Sequence, residues 1–327
     1  MIHPTRIPVS AIVPTIDRAS VLQRTLDSLI RQDVLPTELI VVDGSAGEQS
    51  RAIVEQWGAS VAPETKVVWQ RASTLGAAAQ RNQGVAMATQ PFIWFFDDDI
   101  LFEPECVARM WRAIESDPGL GGVNAMIINQ RYQPPGRVSR AVFALLNGGN
   151  EPSFAGRILG PAVNLLPEDR DNLPEIVPTE WLNTTCTIYR REALPSPPFD
   201  AVFTGYSMME DVTLSVRVGR RWRLSNARTA RILHDTQQGE HKADVRALAR
   251  MELLNRYYVM TEILGRRTWR NCLGLLVWEA FQLVASENFW LRLRGKLDAA
   301  MRLSHRSQGS MQGSTITGNW TISDHIG

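Results

Sequence analysis

The chain has 327 residues, 44% of them apolar, which is enough core for one large α/β domain or one and a half. Its formal net charge of +1 argues against wholesale nucleic-acid binding, which usually needs a strongly basic surface, so no nucleic-acid partner is expected. Three cysteines (Cys106, Cys186 and Cys272) lack Cys-x-x-Cys spacing and a nearby His pair, which argues against a zinc site or a disulfide scaffold and suits a reducing cytoplasm.

Met1 to Arg6 shows no apolar run behind a basic region, so no secretory signal is expected. Val9–Val13 reads as a strand stopped by Pro14. Ser20 then opens a helix, with Gln23 completing a capping box and Val21, Leu22, Leu26, Leu29 and Ile30 forming one apolar stripe. Leu39–Val42 is a second strand, ending in Asp43-Gly44-Ser45. Ile53, Val54 and Trp57 mark a second helix, and Lys66–Trp69 a third strand. An Ala-rich helix runs from about Leu75 to Ala88. Phe92–Phe96 is a fourth strand, and Pro104 begins a helix carrying Val107, Met110, Trp111 and Ile114.

Uniformly apolar strands alternating with helices predict an α/β fold whose mostly parallel sheet is buried on both faces. Ligands gather at the carboxyl ends of such strands. Three of these ends are polar: Thr15-Ile16-Asp17-Arg18, Asp43-Gly44-Ser45 and Asp97-Asp98-Asp99. Parallel neighbouring strands would bring them into one crevice.

From Asn129 to Pro178 the pattern weakens, and the stretch reads as long functional loops or a lid. Order returns at Trp181. Met209–Arg217 reads as a loop entering a helix, and the chain is helical again from Asp244. After Ser304, the run of Ser, Gly, Gln and Thr predicts a disordered tail.

Three adjacent carboxylates repel one another, and a divalent cation removes the conflict. Mg²⁺ and Mn²⁺ favour oxygen ligands, and on extended backbone Asp97 and Asp99 share a face. An acidic turn in solvent is the ordinary alternative. Asp43 is either a turn residue or an acceptor for a base N–H. Arg81, among Gln80, Asn82 and Gln83, is a solvated helical arginine or a partner for a diphosphate or carboxylate. Glu210-Asp211 complements a helix dipole or supplies a general base. His234, after Arg231-Ile232-Leu233, is structural or a further metal ligand.

The order of these segments carries more than any one of them. Ile12–Arg18, Val41–Ser45, Leu75–Gly84, Phe95–Ile100 with Pro104, Tyr189–Leu194, Phe199-Asp200, and Glu210-Asp211 with Arg217 form seven blocks. In this order the chain, from about Val9 to His234, resembles the family 2 glycosyltransferases of the GT-A fold, which is Rossmann-like. Two departures stand out. A single Asp precedes Gly44 where many relatives have two, and Pro195-Ser196-Pro197-Pro198 replaces a Gly-rich link before Phe199-Asp200.

The resemblance implies a hexosyl- or deoxyhexosyl-transferase domain over residues 1–240. Its nucleotide-binding half would be 9–125 and its acceptor half 126–240, followed by a helical segment at 241–303 and a tail at 304–327. It implies that Thr15, Asp17, Arg18, Asp43, Arg81, Asp97 and Asp98 line the pocket of a nucleoside-diphosphate sugar, UDP- or dTDP-linked. Asp99, Asp97 and His234 would hold Mn²⁺ or Mg²⁺, Trp181 and Glu210 would face a glycan or lipid-linked acceptor, and Asp211 would be the base of an inverting displacement. The expected setting is polysaccharide, glycolipid or cell-envelope glycan synthesis. Two alternatives carry less support. A nucleotidyltransferase should show a Gly-rich loop after the first strand, and a non-catalytic sugar-nucleotide binder needs no base.

Residues 241–306 hold twelve Lys or Arg against six Asp or Glu. The apolar run Cys272–Ala285, about 14 residues, falls short of the ~20 a spanning helix needs. Peripheral contact with the inner face of a membrane through 265–303, and a homo-oligomer interface, are both compatible with this segment.

Overall fold

The computed structural model describes residues 4–205, 207–236 and 244–311. Its first half alternates β1 (Thr5–Thr15), α1 (Ala19–Leu29), β2 (Val34–Asp43), α2 (Gln49–Val61), β3 (Lys66–Arg71), α3 (Ala77–Met87) and β4 (Phe92–Phe96). Then come β5 (Ile100–Phe102), α4 (Cys106–Ser116), β6 (Leu120–Ile127) and α5 (Arg137–Asn147). The short strands β7 (Ile158–Leu159), β8 (Val163–Asn164) and β9 (Ile176–Pro178) lead to β10 (Cys186–Arg190), α6 (Glu210–Gly219) and β11 (Arg223–His234). Three helices end the described chain: α7 (Val245–Tyr258), α8 (Trp269–Val284) and α9 (Phe289–Met311).

The main sheet has the order β3-β2-β1-β4-β10-β6-β11-β5, with β9 also on β11. It is parallel from β3 to β4. Beyond that it is mixed, because β10 runs antiparallel to both β4 and β6. Along β4, Trp94 and Phe96 enter the core beneath α1, α2 and α4, while Ile93 and Phe95 enter the core that holds Phe199, Val212 and Leu214. Burial on both faces is why this strand reads as apolar at every position. The topology places the site. After β3 the chain returns to the other side of β1, so the crevice outside the ends of β1 and β4 is a switch point of strand order. Gly84 lets α3 lie close over β1; a Cβ there would collide with Ile12.

Several local expectations need correction. Pro14 does not stop β1, which continues to Thr15; the β1–β4 pairing has already ended at Ile12 opposite Phe95, so the missing N–H breaks no bond on that side. Ser20 is not a cap. Arg18 holds the N-cap position of α1 without a side-chain bond, and Ile30 lies outside the buried stripe of Leu22, Leu26 and Leu29. Residues 129–178 are not all loop. They contain α5, whose Phe143 and Leu146 pack with Phe154 and, from α8, Trp278. α9 runs to Met311, past the expected end of order at Ser304, and residues 312–327 lie outside the described chain.

The C-terminal helices lock together through buried ions. On α7, Arg256 reaches Glu252 at 3.5 Å and Glu279 of α8 at 3.4 Å. Lys296 of α9 pairs with Glu279, and Arg292 donates to Glu252 at 2.7 Å. Arg256 also donates to the Ala162 carbonyl at 2.7 Å, tying the helices to the β7–β8 hairpin. Each buried charge therefore has an opposite partner, the condition under which burial is tolerable.

Candidate active site

The three polar strand ends meet as expected. Thr15 Oγ1 donates to Asp98 Oδ2 at 2.6 Å, and Arg18 Nη1 reaches Asp98 Oδ1 at 3.3 Å and Asp99 Oδ2 at 3.1 Å. The Gly44 N–H donates to the Thr15 carbonyl at 2.8 Å, and the Asp17 N–H to Ser45 Oγ at 2.7 Å. Asp17 adopts φ 52°, a left-handed conformation that Asp tolerates better than most residues, and its side chain is exposed at the turn.

Asp97, Asp99 and His234 each bring one ligand atom within 4.8 Å of the others. His234 Nε2 lies 3.0 Å from Asp99 Oδ1. The end of β11 is held in place by Asn129, which accepts from the His234 N–H at 3.0 Å and donates to its carbonyl at 2.8 Å. The Asp235 N–H donates to the Asp99 carbonyl at 2.8 Å. Two carboxylates and an imidazole make a donor set that suits Mn²⁺, and also Mg²⁺ if the nitrogen is left out. The residues present therefore fit a divalent ion. Asp98 belongs to a different task. Burial pushes its carboxyl up to about 7 against the opposing pull of Thr15 and Arg18, and it holds the turn by accepting from both.

Across the crevice, Glu210 and Asp211 open α6. Met209 before them has φ 77°, an uncommon left-handed backbone for such a residue. The Val212 N–H donates to Asp211 Oδ1 at 2.7 Å, which orients the carboxylate. Burial, with the neighbouring carboxylates, raises both Glu210 and Asp211 above the ordinary range. Arg81 joins the two halves. It donates through Nη2 to Asp97 at 2.7 Å and through Nη1 to Glu210 at 3.1 Å, with its guanidinium carbon 5.8 Å from the Phe199 ring centre. Burial would lower its pKa, but Asp97 and Glu210 outweigh that and raise it.

Three residues sit differently from their expected roles. Asp43 is 0% exposed, and its oxygens accept from the Ser45 N–H and Oγ, Ser50 Oγ and Trp69 Nε1. With four donors already seated it has no lone pair left for a base, so here it is the knot beneath the turn. Arg81 is 4% exposed and is taken up by two carboxylates rather than turned toward a diphosphate. Trp181 is buried and donates its indole N–H to the Leu165 carbonyl at 2.8 Å, so it anchors the loop and offers an acceptor little surface.

Three further residues shape the site without having been singled out: Thr25, Gln80 and Asn129. Thr25 Oγ1 donates to the Asp98 carbonyl at 2.6 Å and accepts from the Ile100 N–H at 3.2 Å. A threonine on the buried stripe of α1, between Leu22 and Leu26, was the signal available for it. Gln80 Nε2 donates to the carbonyls of Thr15 and Val42 at 2.9 and 2.8 Å, stapling the ends of β1 and β2. Asn129 had no signal at all, because its partner His234 lies over a hundred residues away.

The family model for "Glycosyl transferase family 2" matches residues 10–194, more than half of the chain. Validoxylamine A glucosyltransferase of Streptomyces hygroscopicus subsp. limoneus is 31% identical over 107 residues, 32% of this chain and 23% of that protein. A PGL/p-HBAD biosynthesis glycosyltransferase of Mycobacterium bovis is 31% identical over 102 residues, 31% of this chain and 39% of that protein. The match thus spans well under half the length of either relative. Among solved structures, a mannosyltransferase from Pyrobaculum calidifontis in complex with GDP-Man and Mn²⁺ is similar over 95% of this chain and 78% of its own, with a TM-score of 0.53 and 15% identity. GalNAc-T7 with UDP, GalNAc and Mn²⁺ is similar over 70% of this chain and 43% of its own, with a TM-score of 0.51 and 15% identity. These two establish the GT-A fold. With the family match across the strand-end turns and the β4 aspartates, they make this chain an enzyme of the family 2 glycosyltransferases.

Proposed function

We propose that the enzyme moves a sugar from a nucleoside-diphosphate donor, UDP- or dTDP-linked, to a hydroxyl acceptor by an inverting single displacement. The observation that carries this reading is the Arg81 bridge, which holds the Asp97–Asp99–His234 group on one side and Glu210–Asp211 on the other. The relatives in complex bind GDP-Man or UDP with Mn²⁺, which supports the donor class.

Thr15, Asp17 and Arg18 would line the donor side, where Arg18, held at Asp98 and Asp99, would supply positive charge for the diphosphate. Asp97, Asp99 and His234 would hold Mn²⁺ or Mg²⁺, which when bound supplies a Lewis acid against the charge on the departing diphosphate. Asp211 is the base. Its Oδ1 is held by the Val212 N–H, so Oδ2 takes the acceptor's proton. As the acceptor oxygen bonds to the anomeric carbon, the bond from that carbon to the diphosphate breaks on the opposite face. Glu210, tied to Arg81, positions the helix start. A glycan or glycolipid of the cell envelope would be the acceptor.

A panel of sugar nucleotides with Mn²⁺ tests the reading. The expected result is slow donor hydrolysis to nucleoside diphosphate and free sugar, with one or two donors clearly preferred. Release of pyrophosphate, or no turnover of any donor, would contradict it.

A further inference from the structure

The C-terminal helices show water an apolar face that their own packing does not use. On α8, Trp269, Leu273, Leu276, Ala280 and Val284 recur at spacings of four, three, four and four, which places them on one side of the helix, and all are exposed. Leu276 is 66% exposed and Val284 83%. The opposite side of α8 is fully engaged: Leu275, Trp278 and Glu279 are buried against α5, α7 and α9. Two of the helices packed on α8 also expose apolar residues, Val138 and Leu145 on α5 and Trp290, Leu297 and Met301 on α9. Isolated exposed apolar residues are ordinary, but a continuous stripe along α8, with exposed apolar residues on both α5 and α9 packed beside it, marks a contact surface.

Charge selects the occupant. Of the cations in this segment, Arg256, Arg292 and Lys296 are spent on Glu252 and Glu279 inside the helix bundle, whereas Arg270 and Arg294 lie exposed beside this surface. A second copy related by symmetry would set these exposed arginines against their own counterparts. An anionic lipid surface attracts them, and exposed Trp269 and Trp290 are the residue type that settles at a headgroup boundary. Among the described residues no helix is long and apolar enough to cross a membrane, so the fitting geometry is a set of helices lying in the interface. We propose that α5, α8 and α9 dock this enzyme on an anionic bilayer surface through their exposed apolar residues. The inference stands on this face alone and does not depend on the transferase reading.

Vesicle flotation tests it. The full chain should float with vesicles of equal phosphatidylglycerol and phosphatidylcholine at low salt, and should stay down with phosphatidylcholine alone. Leu276→Glu with Val284→Glu should lower partitioning by about tenfold or more, and Arg270→Glu with Arg294→Glu by about tenfold on anionic vesicles. All four side chains are exposed, so thermal unfolding of each variant should match wild type and exclude misfolding. Variants that float like wild type would overturn the proposal. So would wild-type protein that stays down, and a dimer that the Leu276→Glu, Val284→Glu pair dissociates would then assign the face to a second copy.

Discussion

Asp211→Asn should lower kcat by about 10²- to 10⁴-fold, the usual range for loss of one well-placed general base, while leaving donor affinity nearly unchanged. The amide keeps the shape and still accepts from the Val212 N–H through its oxygen, so α6 keeps its start. Wild-type activity should also show an acidic limb set by this group. Burial raises the Asp211 carboxyl above its ordinary value of 3.8. Among the groups facing it, the Asp97 carboxylate pushes the same way, Tyr189 lies nearby on β10, and the Val212 N–H and Arg81 oppose the rise. A base works only when unprotonated, so activity is present above the raised pKa and is lost as pH falls through it. The midpoint should therefore lie clearly above that of a free aspartate, and rate measurements across pH would show it. A limb near the free-aspartate value, or loss of donor binding in Asp211→Asn, would make Asp211 a structural residue.

Arg81→Met should destabilise the fold by about 3 kcal/mol, the low end of the range for breaking a buried ion pair, because Glu210 is left without its cation but can protonate. Asp97 is less buried and adds less. The sign of the pH dependence follows from Glu210. Its pKa is already raised in the folded state, and losing Arg81 raises it further. A carboxyl whose folded pKa exceeds its unfolded pKa contributes stability at low pH and loses it as pH rises. The deficit of Arg81→Met should therefore grow as pH rises through the wild-type Glu210 pKa of about 8, from about pH 7 to about pH 9 in urea unfolding, and Glu210→Gln on the same background should recover part of it. A deficit that is independent of pH, or no deficit, would show that the bridge is not a stability element.

The first half of the chain was readable because its signals are local. Phe92–Phe96 announces a strand buried on both faces, the small residues of α3 announce a close approach to β1, and polar residues at three strand ends announce a crevice. The carboxylates were legible by type and order, but their partners were not. That Arg81 would spend both ends of its guanidinium on Asp97 and Glu210 depends on α3 passing over the end of β4 and facing α6, a contact between residues 129 positions apart. Asp43 shows the same limit: an Asp-Gly turn is visible in sequence, whereas the convergence of Ser45, Ser50 and Trp69 on its oxygens requires α2 and β3 in place. The α5 helix was hidden by flanking Pro and Gly runs, and its apolar residues find their purpose only against α8.

In the proposed mechanism Asp99 would serve a divalent cation on the donor diphosphate, while Asp211 would serve the acceptor. Calorimetric titration of UDP, dTDP and GDP into wild type and Asp99→Asn, each with and without Mn²⁺, separates the two roles most directly. Mn²⁺ should tighten binding of one nucleotide to wild type by about tenfold or more and do little for Asp99→Asn, in line with the loss expected when a metal site loses a supporting group. Equal Mn²⁺-dependent tightening in both proteins would contradict this mechanism.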